Sequence, residues 1–150
     1  MKREESIDIA APPEKIWSLL VKRESILAID PLIKSFDFVG EQHGGLGKMC
    51  YMEKESSGRR IRSLCRFTEW EENKKLALNQ FLGDVARMQV AYTIEATKGG
   101  SRLTLMYEVV MPYWIIGKIL ELLVLRPVMN EVGPLVVANV KRLAEARKVD

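Results

Sequence analysis

The sequence predicts an α+β fold in which a curved antiparallel sheet of roughly six or seven strands wraps around a long C-terminal helix. Three observations support this architecture. A strand runs into Ala11-Pro12-Pro13 near the start, hairpin-like strands fill the middle, and one apolar-striped helix closes the chain. Elements in this order leave an apolar cavity between the sheet and the helix, where we expect a ligand.

The composition is typical of a soluble globular protein that folds without a disulfide or a metal. At 150 residues we expect a single domain over residues 1–150. The 23 basic and 20 acidic residues are interspersed, which argues against a nucleic-acid partner. The N-terminus has no apolar signal core and the two cysteines are expected as reduced thiols, so we predict a cytoplasmic protein. Charged residues and Pro112 interrupt the apolar stretch 109–125, so we expect no transmembrane segment.

Local signals define the N-terminal elements. Ser6-Ile7-Asp8-Ile9 alternates and predicts a strand. Pro12-Pro13 opens a helix that reaches about Val21, because proline is tolerated in the first turn. A second short helix, from Glu24 to Ile29, ends at Asp30-Pro31, since a residue before proline disfavours the α conformation.

The middle of the chain contains a hairpin whose register follows from its charges. A turn centred on Ser57-Gly58 places Glu53 opposite Arg62 and Glu55 opposite Arg60, which are favourable pairs on the solvent face. Period-two alternation assigns the other face to the core or the cavity. That face carries Cys50, Met52, Ile61, Ser63, Cys65 and Phe67.

The last hairpin is predicted to turn at Gly99-Gly100, because glycine suits the positive φ of tight turns. This turn pairs Ala96 with Leu103, Ile94 with Leu105, Tyr92 with Tyr107 and Val90 with Val109. The resulting inner face is apolar apart from two phenols. The register of 76–82 against 86–92 stays open by one residue, because its turn chemistry does not decide between the two.

The C-terminal part is predicted to be helical. Tyr113 to Leu125 forms a short apolar helix or lid, and Arg126-Pro127 begins the long final helix. An apolar stripe recurs at three- and four-residue spacing along that helix, at Met129, Val132, Val136, Val140 and Leu143. Gly133-Pro134 interrupts the stripe, and we expect a kink there because proline lacks the amide that would bond to the Asn130 carbonyl.

Several stretches carry a resemblance to a known superfamily. They are Ile7 to Trp17, Leu46-Gly47, Thr68-Glu69-Trp70, Gly99 to Leu105 and Asn139 to Glu145. With the element order, they make the chain resemble the START-like or SRPBCC superfamily, whose members have the helix-grip fold and include polyketide cyclase/dehydrase-like proteins. The resemblance implies the fold over nearly the whole chain. It leaves the function open, because the superfamily spans lipid carriers, hormone receptors and cyclases.

The predicted cavity favours binding or transport of a hydrophobic small molecule, such as a lipid, an isoprenoid or a polyketide. Burial of apolar ligand surface would contribute about 25 cal/mol per Å². We expect the cavity to be lined by Met52, Ser63, Cys65, Phe67, Tyr92, Leu105, Tyr107, Met129, Val132 and Val136. The identity of the ligand is left open.

An enzyme of the cyclase or dehydratase type is the first alternative. Its candidate acid and base are Tyr92, Tyr107 and Glu69, of which Glu69 shares the inward parity of Phe67 and would lie near the sheet rim. The absence of a strong acid–base pair in the sequence favours binding over catalysis. The second alternative is a protein-interaction module that uses the apolar segment 112–125, which also allows transient membrane contact. A monomer and a homodimer both remain open.

The sequence offers no set of ligands for a metal ion, and we expect no cofactor. The single histidine, His43, lies beside Gly44-Gly45 and is expected in an exposed loop. Cys50 and Cys65 do not complete a four-ligand zinc site. They are expected as small buried side chains rather than as a redox pair, since we predict no cation near them on their face.

Overall fold

The fold is a seven-stranded antiparallel sheet with helices on its inner face, in a computed structural model that describes residues 2–41, 44–56, 58–82, 86–110 and 126–146. The strands are β1 (Lys2–Ile9), β2 (Ile33–Phe38), β3 (Met49–Ser56), β4 (Arg59–Glu71), β5 (Lys75–Leu82), β6 (Ala86–Thr97) and β7 (Gly100–Val110). The helices are α1 (Pro13–Val21), α2 (Arg23–Ile29) and α3 (Arg126–Glu145). The spatial order β1-β7-β6-β5-β4-β3-β2 leaves β1 and β2 at the edges. The predicted curved sheet with its C-terminal helix is confirmed.

The two short helices follow the proline signals. Pro13 is the first residue of α1, and Ile16, Trp17 and Leu20 turn the buried side of that helix toward the sheet. Helix α2 ends before Asp30, which adopts an extended conformation ahead of proline. Both helix ends agree with the prediction, and α2 starts one residue earlier than expected.

The β3–β4 hairpin has the predicted register. Glu53 lies opposite Arg62, Glu55 opposite Arg60, and Cys50 opposite Cys65. Ile61 is the exception on the inner face, because its side chain is 48% exposed. It lies close to the hairpin turn, where the strand extends beyond the buried core.

The predicted register of the β6–β7 hairpin is wrong by two residues. The chain turns at Lys98-Gly99, so Thr97 pairs with Gly100, and Tyr92 lies opposite Leu105 instead of Tyr107. Because a slip of two residues preserves the alternation, the predicted inward face is unchanged. The sequence left the register of β5 against β6 undecided. In the structure Leu76 pairs with Tyr92, Leu78 with Val90 and Gln80 with Met88.

Helix α3 packs against β1, β7, α1 and α2. Its buried residues are Met129, Val132, Gly133, Val136, Val137, Val140 and Ala144, so four of the five stripe residues are buried and Leu143 is partly buried. The helix continues through Gly133-Pro134, and the kink there stays a prediction. No helix in the described part of the chain is long and apolar enough to cross a bilayer.

Polar contacts fix the C-terminal end of α3 to the link between β1 and α1. The Glu145 carboxylate accepts a hydrogen bond from the Ala10 amide at 2.9 Å. Lys141 Nζ donates to the Asp8 carbonyl at 2.8 Å and to Glu145 at 2.7 Å. These contacts join the two ends of the described chain and hold the helix across the sheet.

Candidate functional site

A cavity of about 60 Å³ lies between the inner face of the sheet and the α1–α2 segment. Its described lining is mostly aliphatic and aromatic, which suits apolar ligand atoms. The lining residues are Leu20, Ile26, Ile29, Asp30, Ile33, Phe36, Met52, Lys54, Phe67, Leu76, Leu78, Gln80, Val90, Tyr92 and Tyr107.

The structure brings four of the predicted lining residues to this cavity, namely Met52, Phe67, Tyr92 and Tyr107. The other predicted residues are buried but do not belong to the described lining: Ser63, Cys65, Leu105, Met129, Val132 and Val136. Those from α3 pack in the hydrophobic core instead. Among the described residues, the cavity is therefore covered by α1 and α2 rather than by α3.

A buried ion pair forms part of the cavity wall. Lys54 Nζ lies 3.4 Å from Asp30 Oδ2, and the two side chains are only 19% and 9% exposed. Asp30 Oδ1 also accepts a hydrogen bond from the Leu32 amide at 2.9 Å. Sequence reasoning missed both residues. Lys54 has the same inward parity as Met52 and could have been found from it, whereas Asp30 was identified only as the end of a helix.

Gln80 is a second polar residue of the lining that the sequence did not reveal, because the register of its strand was open. Its amide donates to Ser63 Oγ at 2.8 Å, and Ser63 Oγ donates to the Met52 carbonyl at 3.4 Å. The chain of hydrogen bonds satisfies these buried groups and fixes the Gln80 side chain.

Tyr92 and Tyr107 lie on neighbouring strands and both line the cavity. Burial raises the pKa of each phenol, and the negative charge of Asp30 raises it further. Both hydroxyls therefore stay protonated at neutral pH. In that state they can donate a hydrogen bond to an acceptor on a ligand.

Glu69 does not have the predicted inward position. A β-bulge between Phe67 and Glu69 pairs Phe67 with Leu78 and Glu69 with Ala77, so the alternation changes there. The Glu69 carboxylate lies in a partly exposed ion pair with Lys75 at 2.9 Å. Because of the bulge it is Trp70 that packs inward, against the Phe67 ring.

Cys50 and Cys65 are free, buried thiols on paired positions. The hydrogen bond between them and burial raise the pKa of the Cys50 thiol. The hydrogen bond with Cys50 lowers the pKa of the Cys65 thiol against the effect of its burial, and the charge of Lys54 lowers it further. The prediction of no cation near the two thiols is therefore wrong. The two thiols are nevertheless outside the described cavity lining, as small core side chains would be.

Within the described ranges, no three His, Cys, Asp or Glu side chains come close enough to hold a metal ion. His43 and the segment 112–125 lie outside the described residues. The interaction surface predicted for 112–125 therefore has no structural description.

The family comparison matches residues 10–112 to the family described as "Activator of Hsp90 ATPase homolog 1-like protein". The chain belongs to this family. The match confirms the expected relation to the SRPBCC superfamily. All the described lining residues of the cavity, from Leu20 to Tyr107, fall within the matched segment. No curated protein matches the chain.

Solved structures with low sequence identity share the fold of this family member over nearly its whole length. TTHA0849 from Thermus thermophilus is 19% identical with a TM-score of 0.79, and the alignment covers 99% of this chain and 100% of that one. The di-domain ARO/CYC protein StfQ of the steffimycin biosynthetic pathway is 13% identical with a TM-score of 0.76, over 96% of this chain and 50% of that one. Ara h 8.0201 is 16% identical with a TM-score of 0.71, over 97% and 99%.

Proposed function

We propose that the protein binds or transports a hydrophobic small molecule, such as a lipid, an isoprenoid or a polyketide-like compound. The observation that carries this proposal is the cavity between the sheet and α1–α2, whose mostly apolar lining includes a few polar groups. Apolar contact supplies affinity, and the polar groups fix the orientation of the ligand. We expect it to act in the cytoplasm, as one domain and as a monomer or a homodimer.

The size of the cavity sets a condition on this function. At about 60 Å³ it is smaller than the roughly 300–1,000 Å³ of typical ligand sites. Side chains in the wall therefore move when a ligand enters. Met52 is suited to this, because its unbranched thioether side chain repacks at low cost.

Native mass spectrometry of the purified protein tests the proposal directly. Extraction under denaturing conditions, followed by mass spectrometry of the extract, identifies any bound molecule. A hydrophobic compound at one molecule per chain is the expected result. An unliganded protein that also fails to take up the neutral dye Nile red would contradict the proposal.

A matched pair of variants locates the binding. Val90→Phe places a ring at the cavity wall, whereas Val110→Phe places the same ring on an exposed position of the neighbouring strand. We expect Val90→Phe to abolish the adduct and Val110→Phe to retain it. Loss of the adduct in both variants, or in neither, would argue against binding in this cavity.

A second candidate function is an enzyme of the cyclase or dehydratase type. The observation that favours it is the Asp30–Lys54 pair beside two phenols, which supplies the ionisable groups that the sequence did not reveal. The structural similarity to the ARO/CYC protein StfQ agrees with this candidate. Comparing the compound that co-purifies with the wild type and the compound that co-purifies with Tyr92→Phe/Tyr107→Phe tests it, because cyclisation with dehydration lowers the mass of the compound by one water.

A further inference from the structure

The charges of the two ionised groups in the described cavity wall neutralise each other. Asp30 and Lys54 are the charged members of the described lining, and their ion pair is largely buried. Both oxygens of Asp30 are engaged, one by Lys54 and the other by the Leu32 amide. The described part of the wall therefore offers no unpaired cation to an incoming anion.

A negative charge on a ligand would be unfavourable in this cavity. A carboxylate loses its water on entry, and it would compete with Asp30 for Lys54 while Asp30 repels it. The same two effects act on Tyr92, because burial and the charge of Asp30 oppose ionisation of its phenol and raise its pKa. Burial also raises the pKa of the Tyr107 phenol, and Tyr92, Asp30 and Glu5 raise it further.

The cavity does offer neutral hydrogen-bond donors. Tyr92 and Tyr107 carry hydroxyls that stay protonated and line the cavity from two adjacent strands. The amide of Gln80 is already engaged by Ser63 at 2.8 Å. The phenols are thus the groups best placed to donate to an acceptor on a ligand.

We propose that the cavity selects an uncharged ligand with a hydrogen-bond acceptor, such as a ketone or ester carbonyl, over a carboxylate of the same shape. This inference rests on the proposed function, because it specifies the class of ligand for the same cavity. Tyr92 and Tyr107 donate to the acceptor, and the Asp30 carboxylate repels the anion.

Three small probes of matched shape test this selectivity. Acetophenone, benzoate and cumene share a phenyl ring and a planar or branched three-atom substituent, and they differ in charge and in acceptor. Amide chemical shifts of the ¹⁵N-labelled full chain, titrated at neutral pH, give the dissociation constants. We expect acetophenone to bind at least about tenfold more tightly than benzoate, because the carboxylate is desolvated beside Asp30.

The variant Tyr92→Phe/Tyr107→Phe separates the hydrogen bond from apolar contact. It should weaken acetophenone binding by about fivefold or more and leave cumene binding unchanged, since only acetophenone accepts a hydrogen bond. For each ligand, the dissociation constant in the variant is compared with that in the wild type, so the difference in hydrophobicity between acetophenone and cumene cancels. Tyr51→Phe is the control, because Tyr51 is exposed and outside the cavity lining.

The outcomes distinguish the inference from the proposed function. Benzoate binding as tightly as acetophenone would overturn the selectivity while leaving binding in the cavity intact. An unchanged affinity for acetophenone in the double variant would overturn the role of the phenols. If none of the three probes shifts the amides of Leu78 and Val90, this inference fails, and the adduct and Nile red measurements decide separately whether the proposed function fails with it.

Discussion

Tyr92 and Tyr107 connect the chemistry of the cavity with the stability of the fold. Both occupy inward positions on adjacent strands, where burial raises the pKa of their phenols and the charge of Asp30 raises it further. The unfolded chain exposes them to water, where a phenol has a pKa of about 10. Each phenol therefore holds its proton more tightly in the folded state than in the unfolded state.

The consequence is a loss of stability at alkaline pH. Below about pH 9 neither state ionises these phenols, so their contribution to the free energy of unfolding is constant. Above about pH 10 only the unfolded state loses the protons, and stability falls by up to about 1.4 kcal/mol per pH unit for each phenol. Urea unfolding at a series of pH values should show a shallower decline for Tyr92→Phe/Tyr107→Phe. The same decline in that variant as in the wild type would contradict this assignment.

Single residues also show where the sequence was sufficient and where it was not. Alternation alone placed Met52 and Phe67 on the cavity side. The same alternation places Lys54 there, but its charge led to its omission from the predicted inner face. Asp30 required tertiary information, because its partner lies on a distant strand. Glu69 was misplaced because nothing in the local sequence marks the bulge that precedes it.

At the scale of elements, hairpin registers were predictable where charges fixed them. Two opposite-charge pairs determined the β3–β4 register. The glycines alone predicted a turn at Gly99-Gly100, one residue beyond the actual turn, which shifts the β6–β7 pairing by two residues. The structure shows why the turn lies at Lys98-Gly99. Gly100 has a φ of 144° and begins β7 against the β1–α1 link.

Gly100 is required at this position, and a substitution tests the requirement. A Cβ at Gly100 would lie 2.3 Å from the Ile9 carbonyl oxygen and 2.7 Å from the Ala11 nitrogen, both backbone atoms. We expect Gly100→Ala to lower the free energy of unfolding by at least about 2 kcal/mol. Gly99→Ala, with nothing within 4 Å of the added Cβ, should change it by less than about 0.5 kcal/mol. The free energies of unfolding are measured by urea unfolding. Similar values for both variants would show that the close approach of the Ile9 and Ala11 backbone does not require glycine at position 100.

At the scale of the whole molecule, the packing of α3 against the sheet brings together the two ends of the described part of the chain. The buried side of α3 meets β1 and β7, and Lys141 and Glu145 bind the backbone at the end of β1. Because β1 is an edge strand held by β7 on one side only, its position depends on this helix. Helix and sheet should therefore lose their structure together.

Val136 tests this coupling, since it is fully buried on α3 while the adjacent Leu135 is 48% exposed. Val136→Ala removes buried methyl groups and should lower the free energy of unfolding by about 2 kcal/mol. Leu135→Ala should change it by less than about 0.5 kcal/mol, because an exposed side chain makes few core contacts. Urea unfolding followed by far-ultraviolet circular dichroism and by tryptophan fluorescence measures both variants. One shared midpoint that moves with Val136→Ala is expected, whereas separate midpoints for the two signals would mean that α3 unfolds independently of the sheet.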